Sequence, residues 1–131
     1  MCGGEAEKLV KEAEKALANS YAPYSGYKVA AALLCEDGKI YTGVNVENAS
    51  YGLTVCAERV AIFKAVSEGC RDFKMIAIVA ENEEFPPYPC GACRQVMAEF
   101  NKNLLIVIKD RGKLVCVKLS DLLPYSFDFK K

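Results

Sequence analysis

Three cysteines and a glutamate stand at spacings that suit metal chemistry. Cys56-Ala57-Glu58 is followed downstream by Pro89-Cys90-Gly91-Ala92-Cys93-Arg94. Thiolates bind zinc at about 2.3 Å, and three of them close three sides of a tetrahedron. The fourth side stays open for water, which marks a catalytic zinc rather than a structural one. Residues i and i+3 of a helix share a face, so Cys90 and Cys93 can meet one metal without strain, while Cys56 must arrive from another element. Glu58, two residues past Cys56, is placed to handle the proton of that water as general base and acid. The chain has no histidine, so any zinc site must rest on thiolates or carboxylates.

The ligands need elements that bring two separate segments together. Both Cys56 and Cys90 fall at predicted helix starts, where free amides and partial positive charge stabilise thiolates. Three thiolates outweigh the charge of zinc by one unit. Arg59 and Arg94, close behind the ligands, are expected to offset that excess from outside the ligand set. Other readings stand beside this one. Cys90-Gly-Ala-Cys93 alone resembles a redox dithiol at a helix start, or half of a structural zinc site with Cys35 or Cys70 as a further ligand. The redox reading leaves Cys56-Ala-Glu58 without a purpose, and the structural reading has no need of Glu58.

Apolar spacing predicts a first helix from Glu5 to about Asn19, with Ala6, Leu9, Val10, Ala13 and Leu17 on one face. Ser20-Tyr-Ala-Pro-Tyr-Ser-Gly26 reads as a turn-rich loop. Lys28–Cys35 and Lys39–Val46 read as strands joined by a tight turn at Glu36-Asp-Gly38. The segment from Asn45 to Val55 reads as an ordered loop. Cys56 to Glu68 is a second helix, ended by Gly69, and is apolar around most of its circumference. In so small a domain this predicts a subunit interface as well as a core. Met75–Ala80 is a continuous apolar run, as expected of a central strand. Glu81–Pro89 is a proline-rich connection, Cys90–Asn101 a third helix, and Leu104–Ile108 and Lys113–Val117 the last strands, before a short helix capped by Ser120. The order predicts a single domain over residues 1–131, a three-layer α/β fold with a five-stranded mixed sheet flanked by helices.

With 131 residues, 52% of them hydrophobic, the chain suits one compact soluble domain with a genuine core. Its net charge of zero, with no basic stripe, argues against nucleic acid as a partner and for a small, nearly neutral substrate. No run approaches a membrane span, and the N-terminus does not read as a secretory leader. Seven cysteines, an odd number without framework spacing, fit a reducing cytoplasm. Cys35 and Cys116 read as small buried hydrophobes; Cys2 and Cys70 have no assigned role.

Asn45-Val-Glu47-Asn48-Ala-Ser-Tyr51, Cys56-Ala-Glu-Arg59 and Pro89-Cys-Gly-Ala-Cys-Arg-Gln95 resemble the signature segments of the short-chain cytidine deaminases. The similarity runs from Tyr21-Ala-Pro-Tyr-Ser25 to Leu122-Leu-Pro124, in the family's order and spacing. It agrees with the use of cysteine ligands and a non-ligand glutamate in zinc-dependent nucleobase deaminases. The resemblance implies hydrolysis of cytidine and deoxycytidine to uridine and deoxyuridine with release of ammonia, as in pyrimidine salvage. One zinc per subunit would be held by Cys56, Cys90 and Cys93, with Glu58 as proton shuttle for attack of zinc-bound hydroxide on C4. It also implies a homotetramer whose active sites are completed by neighbouring subunits.

Carried over by position, Asn45 and Glu47 would contact the ribose hydroxyls, and Tyr27 the pyrimidine ring. Tyr51 and Ala57 would be further substrate contacts, and Phe127 would reach the base bound by a neighbouring subunit. From their residue types alone, Asn45 and Glu47 would simply end a strand, Tyr27 would start one, and Phe127 would anchor the tail. Two positions depart from the resemblance: Tyr27 replaces a common phenylalanine, and Ala30 a usual glycine. A Tyr-x-Val-Ala pattern also occurs in blasticidin S deaminases. The carboxylate of Glu47, suited to a ribose diol, and Arg59 favour cytidine.

Overall fold

The structure is a computed structural model that describes residues 3–127; Cys2 and the tail beyond Phe127 lie outside the described residues. Helix α1 (Gly3–Ala16) runs on into a turn of 3-10 helix at Leu17–Asn19. It is followed by β1 (Val29–Cys35), β2 (Ile40–Val44), α2 (Ala57–Ser67), β3 (Phe73–Ala80), α3 (Gly91–Phe100), β4 (Leu105–Asp110), β5 (Lys113–Lys118) and the short α4 (Leu119–Leu122). Each expected element is present, with ends shifted by a residue or two, as is usual where terminal turns fray.

The sheet order is β2-β1-β3-β4-β5, and only β3 and β4 run parallel. β3 is therefore central, as its unbroken apolar run requires. β1 shows no polar alternation either, because both of its faces are covered. Ala30, Ala32 and Leu34 pack with Ala6, Leu9 and Ala13 of α1. Ala31, Leu33 and Cys35 pack on the other side with Ala57, Ala61 and Met97 of α2 and α3. The result is three layers: α1, the sheet, then α2 with α3. No helix among the described residues is long and apolar enough to cross a membrane.

The seat of α2 depends on a glycine. A Cβ on Gly43 of β2 would lie 2.4 Å from the Ala61 amide nitrogen and 2.6 Å from the Ala57 carbonyl oxygen. Ala57, Ala61 and Ala65 form the buried stripe that lets the helix come this close. At its other end, Gly69 takes φ +95°, and the Gly69 and Cys70 amides close back onto Val66 and Ala65.

That turn brings Cys70 beside the end of β1, where the Glu36 amide donates to the Asp72 carbonyl at 2.8 Å. There Cys35 and Cys70 form a disulfide. Cys35 is buried in the core as expected, but it is also bridged; Cys70, to which no role was assigned, is its partner, and both are withdrawn as metal ligands. The pairing was hidden because it joins residues 35 positions apart, and connectivity does not follow from sequence. On the chain-entropy view, closing such a loop stabilises by about 3–4 kcal/mol. Replacing both cysteines by alanine should lower the melting temperature by roughly 10 °C, and reductant should lower that of the parent at least as far, because Cys116 is disulfide-bonded too. Thermal melts of both proteins, with and without reductant, check this; a reductant-insensitive parent would contradict it.

Candidate metal centre and adjoining pocket

Cys56 and Cys90 occupy the N-cap positions of α2 and α3, each with extended backbone and without a side-chain cap bond. Both sulfurs therefore sit at helix N-termini, where the helix dipoles favour negative charge. Cys56 Sγ lies 4.0 Å from Cys90 Sγ, and Cys90 Sγ lies 3.6 Å from Cys93 Sγ. All three lie within 4.8 Å of one another. Ligands at about 2.3 Å in a tetrahedron sit about 3.8 Å apart, so the donor set fits zinc without rebuilding. Its accessibility is graded: Cys93 is buried, Cys56 half-buried and Cys90 exposed.

The charges in the cluster are coupled. The Cys56 thiol is held well below its usual range, first by a hydrogen bond from Cys93, then by Arg59, against the cost of burial. The same contact with Cys56, followed by burial, pushes the Cys93 thiol up. Arg59 Nη2 donates to Cys56 Sγ at 3.6 Å. Arg94 is used differently: its Nε donates to the Pro89 carbonyl at 2.7 Å and its Nη1 to the Leu122 carbonyl at 2.8 Å. It ties the start of α3 to α4 and touches no sulfur in these bonds.

Glu58, only 4% exposed, sits in the first turn of α2. Burial pushes its carboxyl up to about 7; its own amide opposes this, and the charge on Cys56 adds to it. A carboxyl that titrates near neutrality can both accept and release a proton at small cost.

A cavity of about 280 Å³ opens over this cluster. Cys56, Ala57, Glu58 and Cys90 line its floor, and Tyr27, Asn45 and Glu47 line its side. The strand-end residues are already engaged. Asn45 Oδ1 accepts from the Val29 amide at 3.0 Å, and its Nδ2 donates to the Tyr27 carbonyl at 2.8 Å, which leaves one N–H to spare. Glu47 Oε1 accepts from the Tyr24 and Ser25 amides, each at 3.0 Å, while Ser25 Oγ donates to Oε2. These bonds, that of the Ser25 hydroxyl first, hold the carboxyl below its usual range. A carboxylate offers about four acceptor sites, so one remains for a ligand. Tyr27 has its phenol pushed up by burial and then by the nearby charge of Glu58.

Two of the expected contacts lie apart from this cavity. Tyr51, 76% exposed, stacks edge-on with Tyr24 at 6.3 Å and lines a neighbouring hollow with Glu47 and Thr54. Phe127 is 71% exposed at the end of the described chain, and its carbonyl accepts from Gln95 Nε2 at 3.2 Å. Conversely, Ser25, Thr54, Pro87 and Tyr88 line the cavity without having been expected there. A signal existed for three of them: Ser25 belongs to the turn-rich loop before Tyr27, and Pro87-Tyr88 to the proline-rich connection that delivers Cys90.

The comparisons bear directly on this arrangement. A family model described as the cytidine and deoxycytidylate deaminase zinc-binding region matches residues 4–109. A cytidine deaminase from Sporosarcina psychrophila is 50% identical over 125 residues, covering 94% of this chain and 91% of its own. Another from Halalkalibacterium halodurans is 50% identical over 123 residues, covering 92% of each. The crystal structure of cytidine deaminase from Burkholderia pseudomallei superposes with a TM-score of 0.87 at 47% identity, covering 92% of this chain and 98% of that one. Half-identity over almost the entire length, with a matching fold and a zinc-binding region that takes in all three clustered cysteines, makes the assignment direct: the chain belongs to the cytidine and deoxycytidylate deaminase family.

Proposed function

We propose that this protein is a zinc-dependent hydrolase that converts cytidine and deoxycytidine to uridine and deoxyuridine with release of ammonia. The observation that carries the reading is the convergence of Cys56, Cys90 and Cys93 at tetrahedral spacing beneath a pocket that also holds buried Glu58. Zinc, when bound, supplies Lewis acidity to a water molecule in the open position. Glu58 takes a proton from the attacking water and delivers it to N3 of the cytosine as oxygen adds to C4. Glu58 then carries the proton of the C4 hydroxyl to the amino group, and the C4–N bond breaks to release ammonia as the C4 carbonyl forms. Atoms balance as nucleoside plus water to deaminated nucleoside plus ammonia.

The sugar end falls to Asn45 and Glu47, which keep one N–H and one acceptor site for hydroxyls that both accept and donate. Tyr27 and Ala57 flank the base. Arg59 holds Cys56 electrostatically and so keeps the sulfur from donating too much charge to the metal. Arg59→Gln should lower zinc affinity or turnover by roughly 10-fold or more, measured by competition with a chromogenic chelator and by initial rates. Unchanged values for both would remove Arg59 from the account.

The protein is read as a homotetramer in which neighbours complete each pocket. Support comes from Phe63, left 52% exposed on the apolar α2, and from Tyr51 and Phe127, which are exposed and do not line their own pocket. A reducing cytoplasm suits a site built from three thiols, and there the Cys35–Cys70 bridge is subject to reduction.

The test is the loss of ultraviolet absorbance when zinc-loaded protein meets cytidine, with blasticidin S in a parallel cuvette. Conversion of cytidine to uridine is the expected result. Turnover of blasticidin S alone would keep the chemistry and overturn the roles of Asn45 and Glu47. Silence with both would return the cysteines to a structural or redox role.

A further inference from the structure

The segment from Glu81 to Pro89 leads into Cys90 and forms one wall of the pocket, through Pro87 and Tyr88. Its first residues are well fastened. The Glu81 amide donates to the Lys28 carbonyl at 2.9 Å, and Glu83 Oε1 accepts from the Gly112 amide at 2.8 Å. The far end is fastened as well, with Pro87 and Pro89 buried and Arg94 Nε donating to the Pro89 carbonyl at 2.7 Å; the stretch between, around Phe85, is held least. Pro86, Pro87 and Pro89 bring no N–H donors, and the Tyr88 amide turns back onto Pro86 at 2.9 Å. Phe85 is largely exposed and buries little to anchor the stretch.

One side-chain bond crosses from the opposite wall. The Tyr27 hydroxyl donates to the Phe85 carbonyl at 2.6 Å. Tyr27 is itself held from both sides by the pocket's sugar-side residues: its amide donates to Ser25 Oγ at 3.0 Å, and its carbonyl accepts from Asn45. A chain of bonds thus runs from Glu47 through Ser25 and Tyr27 to Phe85, and joins the sugar-side residues to the 81–89 segment.

We infer that the Tyr27 hydroxyl is a latch: it fixes the Pro87–Tyr88 wall against the Asn45–Glu47 wall, and so sets the width of the pocket and its affinity for substrate. Tyr27 is in this respect a positioning residue. Its ring contacts the ligand space, but its hydroxyl acts through the 81–89 segment. The inference rests on reading this pocket as the nucleoside site.

Tyr27→Phe keeps the ring and removes only the latch. In zinc-loaded protein it should raise KM for cytidine roughly 5-fold with kcat held within about 2-fold, since the floor of the site is untouched. Cleavage by a glutamyl endopeptidase after Glu81, Glu83 or Glu84, followed by mass spectrometry, should become roughly 5-fold faster as the wall opens more often. A KM equal to the parent's overturns the inference whatever the cleavage rate. A raised KM with unchanged cleavage also overturns it, because the hydroxyl would then touch the ligand rather than hold the wall. If the parent itself leaves cytidine unchanged, the functional reading fails, and the cleavage rates alone decide the latch.

Discussion

Glu58→Gln should abolish measurable turnover of cytidine, with a loss of at least about 10³-fold, while zinc content and melting temperature stay near the parent's. The side chains match in shape, so the packing around this buried position is kept. What disappears is a carboxyl that titrates near 7 because burial disfavours its charge. An amide can neither take a proton from water nor hand one to a ring nitrogen, so both proton steps fail together. Glu58 reaches no metal ligand role in the proposed scheme, which is why zinc should remain. Metal analysis, a thermal melt and a rate assay on one preparation test all parts. If zinc and melting temperature fell with activity, Glu58 would be a structural residue and the proton-shuttle role would be lost.

Gly43→Ala should be nearly as damaging, although Gly43 touches no ligand. The added methyl would fall between the Ala57 carbonyl and the Ala61 amide, 2.6 and 2.4 Å away. Those two groups are a turn apart on α2, and both are backbone, so no side chain can swing aside. The helix must lift from β2 by on the order of 1 Å, in a core that transmits such strain. Its first turn carries Glu58 and follows directly from Cys56. Metal geometry tolerates only about ±0.2 Å, and a misplacement of this size costs on the order of 10² in rate. The expected result is a folded protein with weakened zinc binding, about 100-fold lower activity and a lower melting temperature. Parent-like zinc affinity and rate would show that α2 can tilt without disturbing its ligand end.

Much of this was legible beforehand, for reasons that differ by residue. The cysteines and Glu58 announced themselves because their chemistry demands fixed types at fixed spacing. The helix starts at Cys56 and Cys90 followed from where apolar periodicity began. β3 could be placed at the centre because its run is apolar without alternation. Gly43 could not be singled out, since a glycine within a strand carries no local sign of what approaches it. The Cys35–Cys70 pair depends on tertiary proximity alone. Arg94 looked equivalent to Arg59 by position, yet the direction of a long side chain is settled by which acceptors lie near, here two carbonyls. Glu47 was readable as a polar residue at a strand end; that the 20–26 loop holds it in place was not.

The disulfide and the cysteine triad have a joint consequence for α2. Along the chain, the ring closed by Cys35 and Cys70 contains Cys56, while the ring a metal closes from Cys56 to Cys90 contains Cys70. The two rings overlap along the chain, and α2 lies in the stretch they share. A bound metal would clamp its leading end as the bridge does its trailing end, so neither chelation nor reduction alone should free it. With metal bound, the helix that bears Glu58 should take less part in the small, local openings that loosen most surface helices.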